Sequence, residues 1–159
     1  MAYLIDGNNL LGFSFSTGFK DPQNKSALLR KIQIFQKIKK VRIILVFDGA
    51  APPISIQEKA PNKKFDVLYP PQGQSADSLI KEILSGQKDL KKFFVVSSDR
   101  EIKHFARLRG AKAISCKDFN TELKKALKEN REAREMKKNI PFPTSLEVNL
   151  WLDVFKDKK

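Results

Sequence analysis

Short, nearly unbroken apolar runs alternate along the chain with longer stretches in which apolar residues return every three or four positions. The first run, Met1 to Ile5, breaks off at Asp6-Gly7-Asn8-Asn9. Val41 to Phe47, Phe65 to Tyr69, Phe93 to Ser97 and Ala111 to Ser115 repeat the pattern, and runs so short and apolar predict strands covered on both faces. Between them the helical period takes over. Leu28, Ile32 and Phe35, flanked by Leu29 and Ile38, predict a helix that follows Asp21-Pro22 and begins near Asn24. Leu79, Ile80, Ile83 and Leu84 predict a second over 75–84, and Ile102, Phe105, Ala106 and Leu108 a third over 99–109, closed by Gly110. A long charged helix is expected from Lys117-Asp118 to about Lys138, with Lys, Glu and Arg spaced for i,i+4 pairs on a solvated face. Thr144-Ser-Leu-Glu147 is a capping box for a last helix over 145–155, which should dock through Leu146, Leu150, Trp151 and Val154.

Leu11 to Phe19 and Ile54 to Lys64 carry neither period and read as loops. The strand-helix alternation, joined by right-handed crossovers, predicts an α/β fold in three layers, a parallel sheet of about five strands with helices on both faces. The chain's 159 residues fit one domain over 1–159.

Composition sharpens this picture in two ways. No apolar run approaches the roughly 20 residues of a membrane helix, no signal-peptide pattern opens the chain, and the one cysteine, Cys116, cannot form an internal disulfide; a cytoplasmic protein without a membrane partner is expected. The charge is lopsided, with 31 Lys+Arg against 18 Asp+Glu and a net charge of +13, which points to a polyanion and first to nucleic acid. Locally the excess is stronger: Lys20, Lys25, Arg30, Lys31, Lys37, Lys39, Lys40 and Arg42 stand against Asp21 alone.

Candidate chemistry lies where the strands end. Asp6, Asp48 and Asp99 follow three of them, and Asp77 follows the third strand after a loop. In a parallel sheet all these ends lie on one edge, outside which ligands bind. A single such Asp is usually a helix cap. Asp99 and Asp77 suit that reading, whereas no convincing helix directly follows Asp6 or Asp48. Four carboxylates in one cleft repel unless a cation neutralises them, and hard oxygen donors call for Mg²⁺ or Mn²⁺, ions that activate water against a phosphodiester. Basic residues around such a pit would hold the nucleic-acid backbone, with Lys25, Arg30 and Arg100 as candidates. Ser97 and Ser98 fit either a water or phosphate contact or strand packing and capping; Asn9 fits either a metal-ligand or phosphate contact or a turn amide. Phe13, Phe15 and Phe19 fit base stacking or, better, the core. No Gly-rich phosphate loop is present, and His104 has no partner for zinc.

Taken in order, Asp6-Gly-Asn-Asn9, Val46-Phe-Asp48, Ser75-Ala-Asp77-Ser-Leu-Ile80, Val96-Ser-Ser-Asp99-Arg100, Leu146-Glu-Val and Trp151-Leu152 resemble the YacP-like NYN domains, a branch of the PIN-like ribonucleases. The resemblance covers nearly the whole chain. It implies a PIN-like fold, a metal-dependent endoribonuclease activity, Asp6, Asp77 and Asp99 as metal-binding acids with Asp48 in support, and the ribosome as a candidate partner. Asn9, Ser98 and Arg100 would then position phosphate. Two positions depart from the family pattern: Asn8 stands where an aromatic residue is common, and Lys81 where Glu is common. Glu82 points about 100° away around a helix and cannot replace that acid. Lys81 keeps a second reading open, a catalytically inactive RNA- or ribosome-binding module; a third is a DNA flap or 5′ nuclease, since fold alone does not choose the polymer.

Overall fold

The computed structural model describes residues 1–15, 21–50 and 64–139. In chain order the elements are β1 (Ala2–Asp6), α1 (Gly7–Ser14), α2 (Pro22–Lys39), β2 (Arg42–Val46), β3 (Phe65–Leu68), α3 (Ala76–Gly86), β4 (Phe93–Val96), α4 (Arg100–Leu108), β5 (Lys112–Ile114) and α5 (Cys116–Lys138). The five strands form one sheet in the order β3-β2-β1-β4-β5, and every pairing is parallel. The expected α/β fold is therefore present, with five strands. The chain winds outward from β1 through β2 to β3, then returns to place β4 on the other side of β1. That reversal puts a switch point between β1 and β4, where open parallel sheets form their ligand crevice.

Side-chain alternation along the strands divides the interior into two cores. Tyr3, Ile5, Ile43 and Leu45 face one side, where Leu28, Ile32 and Phe35 of α2 and Phe119 and Leu123 of α5 cover them. Leu4, Ile44, Val46 and Val95 face the other, beneath Ile80 and Leu84 of α3 and Ile102 and Ala106 of α4. Within the first core the Tyr3 ring stacks on Phe94 at 5.0 Å, and its hydroxyl donates to Glu122 Oε1 at 3.2 Å. Burial, reinforced by the Glu122 charge, pushes the phenol up to about 12.

The helix ends follow the sequence signals. Asp21 caps α2 and Pro22 occupies its first turn, so that helix begins two residues before the expected start near Asn24. Ser75 caps α3 and Asp99 caps α4, while Gly110, at φ 90°, takes the left-handed position after α4. Two compact units, Met1–Leu127 and Lys128–Lys159, make up the chain. In the second, the described residues continue α5 through exposed side chains, among them the Arg131 and Glu135 pair at 4.0 Å. The expected docking helix over 145–155 lies outside the described residues, as do Phe19 and most of the expected loop over 54–64. No helix among the described residues is long and apolar enough to cross a membrane.

One expectation about the elements fails. The stretch after β1 is not a loop from Leu11, because α1 starts at Gly7 and runs to Ser14. Glycines and asparagines lower its intrinsic helicity, but the Asp6 cap and the burial of Leu10 and Leu11 outweigh that deficit. Phe13 consequently lies 47% exposed on this helix rather than in the core, whereas Phe15 packs partly buried against it. Gly7 is dictated by contact: a Cβ there would stand 2.6 Å from the Phe47 ring. Helix propensity alone would make Gly7→Ala stabilising by about 1 kcal/mol. The Phe47 contact reverses the sign, and a loss of about 1–3 kcal/mol is expected in urea denaturation; a gain would show that the ring yields freely.

Candidate active site

Three helix N-termini and two strand ends bring the aspartates to the same edge of the sheet. Asp6 ends β1 and caps α1; its side chain is almost wholly buried, with 3% exposure for the residue. Asn9 Nδ2 donates to Asp6 Oδ2 at 2.6 Å, and the Asn9 backbone N–H donates to Oδ1 at 3.4 Å. Ser97 Oγ donates to Asp6 Oδ2 at 3.2 Å. The same hydroxyl accepts from Asn9 Nδ2 at 3.2 Å and from the Asp99 backbone N–H at 3.1 Å. One donor and two acceptor positions are all a serine hydroxyl has, so Ser97 is fully used. It ties the end of β1, the first turn of α1 and the entry to α4 together across the switch point.

Asp48 is exposed, and both its oxygens are engaged. Oδ1 accepts from the Ala76 N–H, the first of α3, at 2.7 Å, and Oδ2 accepts from Asn8 Nδ2 at 3.3 Å. It acts as a cap from outside the helix it caps. Asp99 Oδ1 accepts from the N–H groups of Glu101 and Ile102 at 2.8 and 3.3 Å. Asp77, half-buried in the first turn of α3, accepts no hydrogen bond among the described residues. The cap reading, which the sequence favours less for Asp6 and Asp48 because it predicts no convincing helix directly after either, holds for both: α1 does follow Asp6, and Asp48 caps the distant α3, whose own N-cap is Ser75 rather than Asp77. Each satisfies N–H groups at a helix start, where the helix dipole also favours negative charge.

Electrostatics shows that the four acids share a field. Burial raises the Asp77 pKa above its ordinary value, and the charges of Asp6, Asp99 and Asp48 raise it further, in that order, against Lys81. Asp6 is also raised, chiefly by burial, with the Asn9 and Ser97 hydrogen bonds opposing and Asp48 adding to it. Among the described residues no three acids stand close enough to hold one ion jointly. The donors are nonetheless all hard oxygens, and the least committed are both oxygens of Asp77 and Oδ2 of Asp99. Such a set suits a cation that takes one or two carboxylates and keeps water for its other positions, as Mg²⁺ does.

The other candidates separate. Arg100 and Ser98 flank Asp99 in sequence and are exposed, and Arg30 is exposed on α2. Lys25 is half-buried, its ammonium 4.5 Å from the Phe47 ring centroid and 4.6 Å from that of Tyr69, and it donates to the Tyr69 hydroxyl. Its charge is spent largely inside the protein. Cys116 is buried, and burial raises the pKa of its thiol. His104 is exposed, without metal-ligating company among the described residues. Sequence reasoning did not single out Ser97 over Ser98 and missed Asn8 as a partner of Asp48. The signal for Ser97 was available, since the last position of an apolar run covered on both faces is buried. Lys81 bonds Glu101 across α3 and α4, a pairing no local pattern reveals. Glu82 instead accepts from Gln74 at 3.1 Å and faces away, as expected.

The raised pKa values fix the sign of a stability effect. A carboxyl whose pKa is higher in the folded state binds its proton more tightly there, so its contribution to stability is greatest below the ordinary carboxylate range and falls as pH rises through the raised value. Metal-free Asp77→Asn should therefore be more stable than the parent at pH 7 and low salt, by about 0.5–1 kcal/mol. The gain should vanish by about pH 3, below the ordinary aspartate value of about 3.9, where the acid is protonated in both folded and unfolded states. Urea denaturation at the two pH values measures it; a loss at pH 7 would mean that Asp77 is stabilised by contacts other than these.

The model of the YacP-like NYN domain family matches residues 3–151. No curated protein matches the chain significantly. Among solved structures, that of Rae1 (YacP) from Bacillus subtilis superposes with a TM-score of 0.70 at 20% identity, covering 99% of this chain and 91% of that one. A tryptophan-to-leucine mutant of the same protein gives a TM-score of 0.70 at 19% identity, over 88% of this chain and 86% of that one. At such identity the structures speak for the fold, and the family match supplies the rest: this chain belongs to the YacP-like NYN domain family and has its nuclease-like fold.

Proposed function

We propose that this protein is a metal-dependent endoribonuclease that hydrolyses phosphodiester bonds of RNA at the pit formed by Asp6, Asp48, Asp77 and Asp99. The observation that carries the reading is the placement of four aspartates distant in sequence at strand ends and helix starts along the carboxyl edge of a parallel sheet, in a chain of net charge +13. Family membership supports hydrolysis and an RNA substrate at the coarse level.

Asp77 and Asp99 would hold Mg²⁺ or Mn²⁺, with Asp6 behind them. The bound ion would supply an activated water and polarise the phosphoryl oxygen. Asp6 is held in one orientation at the switch point by Asn9 and Ser97, whose hydrogen bonds favour its charged form against burial; Asn9 thus positions a carboxylate, since its amide is already committed to Asp6 and Ser97. Asp48 fixes the start of α3, and with it the direction of Asp77. Arg100 and Ser98, exposed and adjacent to Asp99 in sequence, would contact a phosphate beside it, and Arg30 would add charge for the flanking backbone. The cytoplasm, and messenger RNA on the ribosome, are the setting that the family resemblance and the basic surface favour.

Lys81 favours one rival, an RNA- or ribosome-binding module without catalysis, because it places a cation beside Asp77 and Asp99. Incubating labelled RNA and single-stranded DNA with the protein, with and without Mn²⁺, separates the readings. Cleavage of RNA only with Mn²⁺, abolished by Asp77→Asn, is expected; binding without cleavage, unaltered by Asp6→Asn, supports the module, and cleavage of DNA alone supports a flap or 5′ nuclease. Ser97→Ala should cost about 10- to 100-fold in cleavage rate, as loss of a group that orients a metal-site carboxylate does. RNA affinity should fall steeply between about 50 and 200 mM salt; a flat response would remove the basic surface from the binding mechanism.

A further inference from the structure

Asn9 and Phe13 stand one turn apart on α1, so their side chains share a face of that helix, with Cβ atoms about 5–6 Å apart. What Asn9 does on this face is fixed: its amide donates to Asp6 and to Ser97, at the carboxyl edge of β1 and β4. Phe13 is the next residue along the same row, roughly 10 Å from Asp6 along the helix axis. A long side chain in a helix leans back over the preceding turn, which carries the ring toward Asn9 rather than away from it.

That ring belongs to neither core. α1 buries Gly7, Leu10 and Leu11, whereas Phe13 is 47% exposed, the only phenylalanine or tyrosine exposed among the described residues. A lone apolar side chain at a surface is ordinary; this one is set apart by its place on the row that leads to the acids. The helix surface beside it is also open, since Gly12 is exposed and a Cβ there would meet nothing within 4 Å. At the same end of α1, exposed Lys31 of α2 holds its ammonium 5.5 Å from the Phe15 ring centroid, which supplies a cation for a phosphate backbone near the ring.

We propose that Phe13 is a substrate-binding residue, a stacking platform for a base of single-stranded RNA that flanks the phosphodiester held at the sheet edge. The inference rests on the reading of that edge as the RNA site, and on none of its metal chemistry. An aromatic face accepts any base, because every base has a π face, so the platform sets the path of the strand without selecting its sequence. It does demand an unpaired strand, since the bases of a duplex are already stacked on one another and a splayed base is what an aromatic side chain can take.

Equilibrium binding of a short fluorescein-labelled single-stranded RNA to the full chain, with EDTA present to prevent metal-dependent cleavage, tests this. Phe13→Ala should bind about 5- to 100-fold more weakly than the parent, with the same dependence on salt, because no phosphate contact is lost. Phe13→Trp, which keeps an aromatic face, should bind at least as tightly as the parent. Replacing each nucleotide in turn by an abasic one should reveal a position that loses affinity in the parent and loses none further in Phe13→Ala, the coupling that direct contact requires and a general loss of structure does not produce. Duplex RNA of the same sequence should bind the parent and Phe13→Ala alike. Equal affinity of the parent and Phe13→Ala for the single strand, abasic penalties undiminished in Phe13→Ala at every position, an equal loss on duplex RNA, or no RNA binding by the parent overturns the inference. Cleavage with Mn²⁺ is read separately. Abasic coupling without any cleavage leaves the platform standing and removes the nuclease reading, whereas cleavage by the parent without coupling removes the platform alone.

Discussion

A single hydroxyl, that of Ser97, joins the parts of this molecule that matter for its chemistry. It gives its one proton to Asp6 and receives N–H groups from Asn9 and from Asp99, so two segments that are far apart in sequence, residues 6–9 and 97–99, meet at one oxygen. Buried polar groups that saturate one another in this way resist rearrangement, because any displacement leaves a donor or acceptor unpaired away from water. Parallel pairing of β1 with β4 brings the segments near; the hydroxyl fixes how they face.

Around that bond the fold sets two effects against each other. Burial and mutual repulsion make ionised Asp6 and Asp77 unfavourable, while helix N-termini, asparagine amides and the Lys81 ammonium favour the charged form. For Asp6 and Asp77 burial and repulsion prevail, and both carboxyls hold their protons more tightly than usual. The chain around them is strongly basic, with a net charge of +13, which draws a polyanion to the protein as a whole.

Much of this could be read from the residues alone. The strand runs, the helical periods behind Leu28, Ile80 and Ile102, and the gathering of strand-end acids all follow from local pattern and from the handedness of crossovers. What escaped has one physical origin, tertiary contact. The helix α1 forms against its own propensities because Asp6 caps it and Leu10 and Leu11 are buried, and Gly7 is needed there because Phe47 leaves no room, a fact that no window around residue 7 contains. Asp48 capping α3, Lys25 lodged between Phe47 and Tyr69, and Lys81 on Glu101 are likewise pairings between elements that only the packed sheet creates.

The strand order carries a consequence for how the molecule breathes. β3 and β5 form the outer strands, with β5 only three residues long, whereas β1 lies in the middle, between β2 and β4. Local opening begins where ladders have one neighbour and few buried contacts, so the rims can part transiently while the middle stays closed. Asp6 ends the central strand, and α3, which carries Asp77, packs on β1, β2 and α4 rather than on an outer strand, so both acids are held by the part of the sheet that opens last.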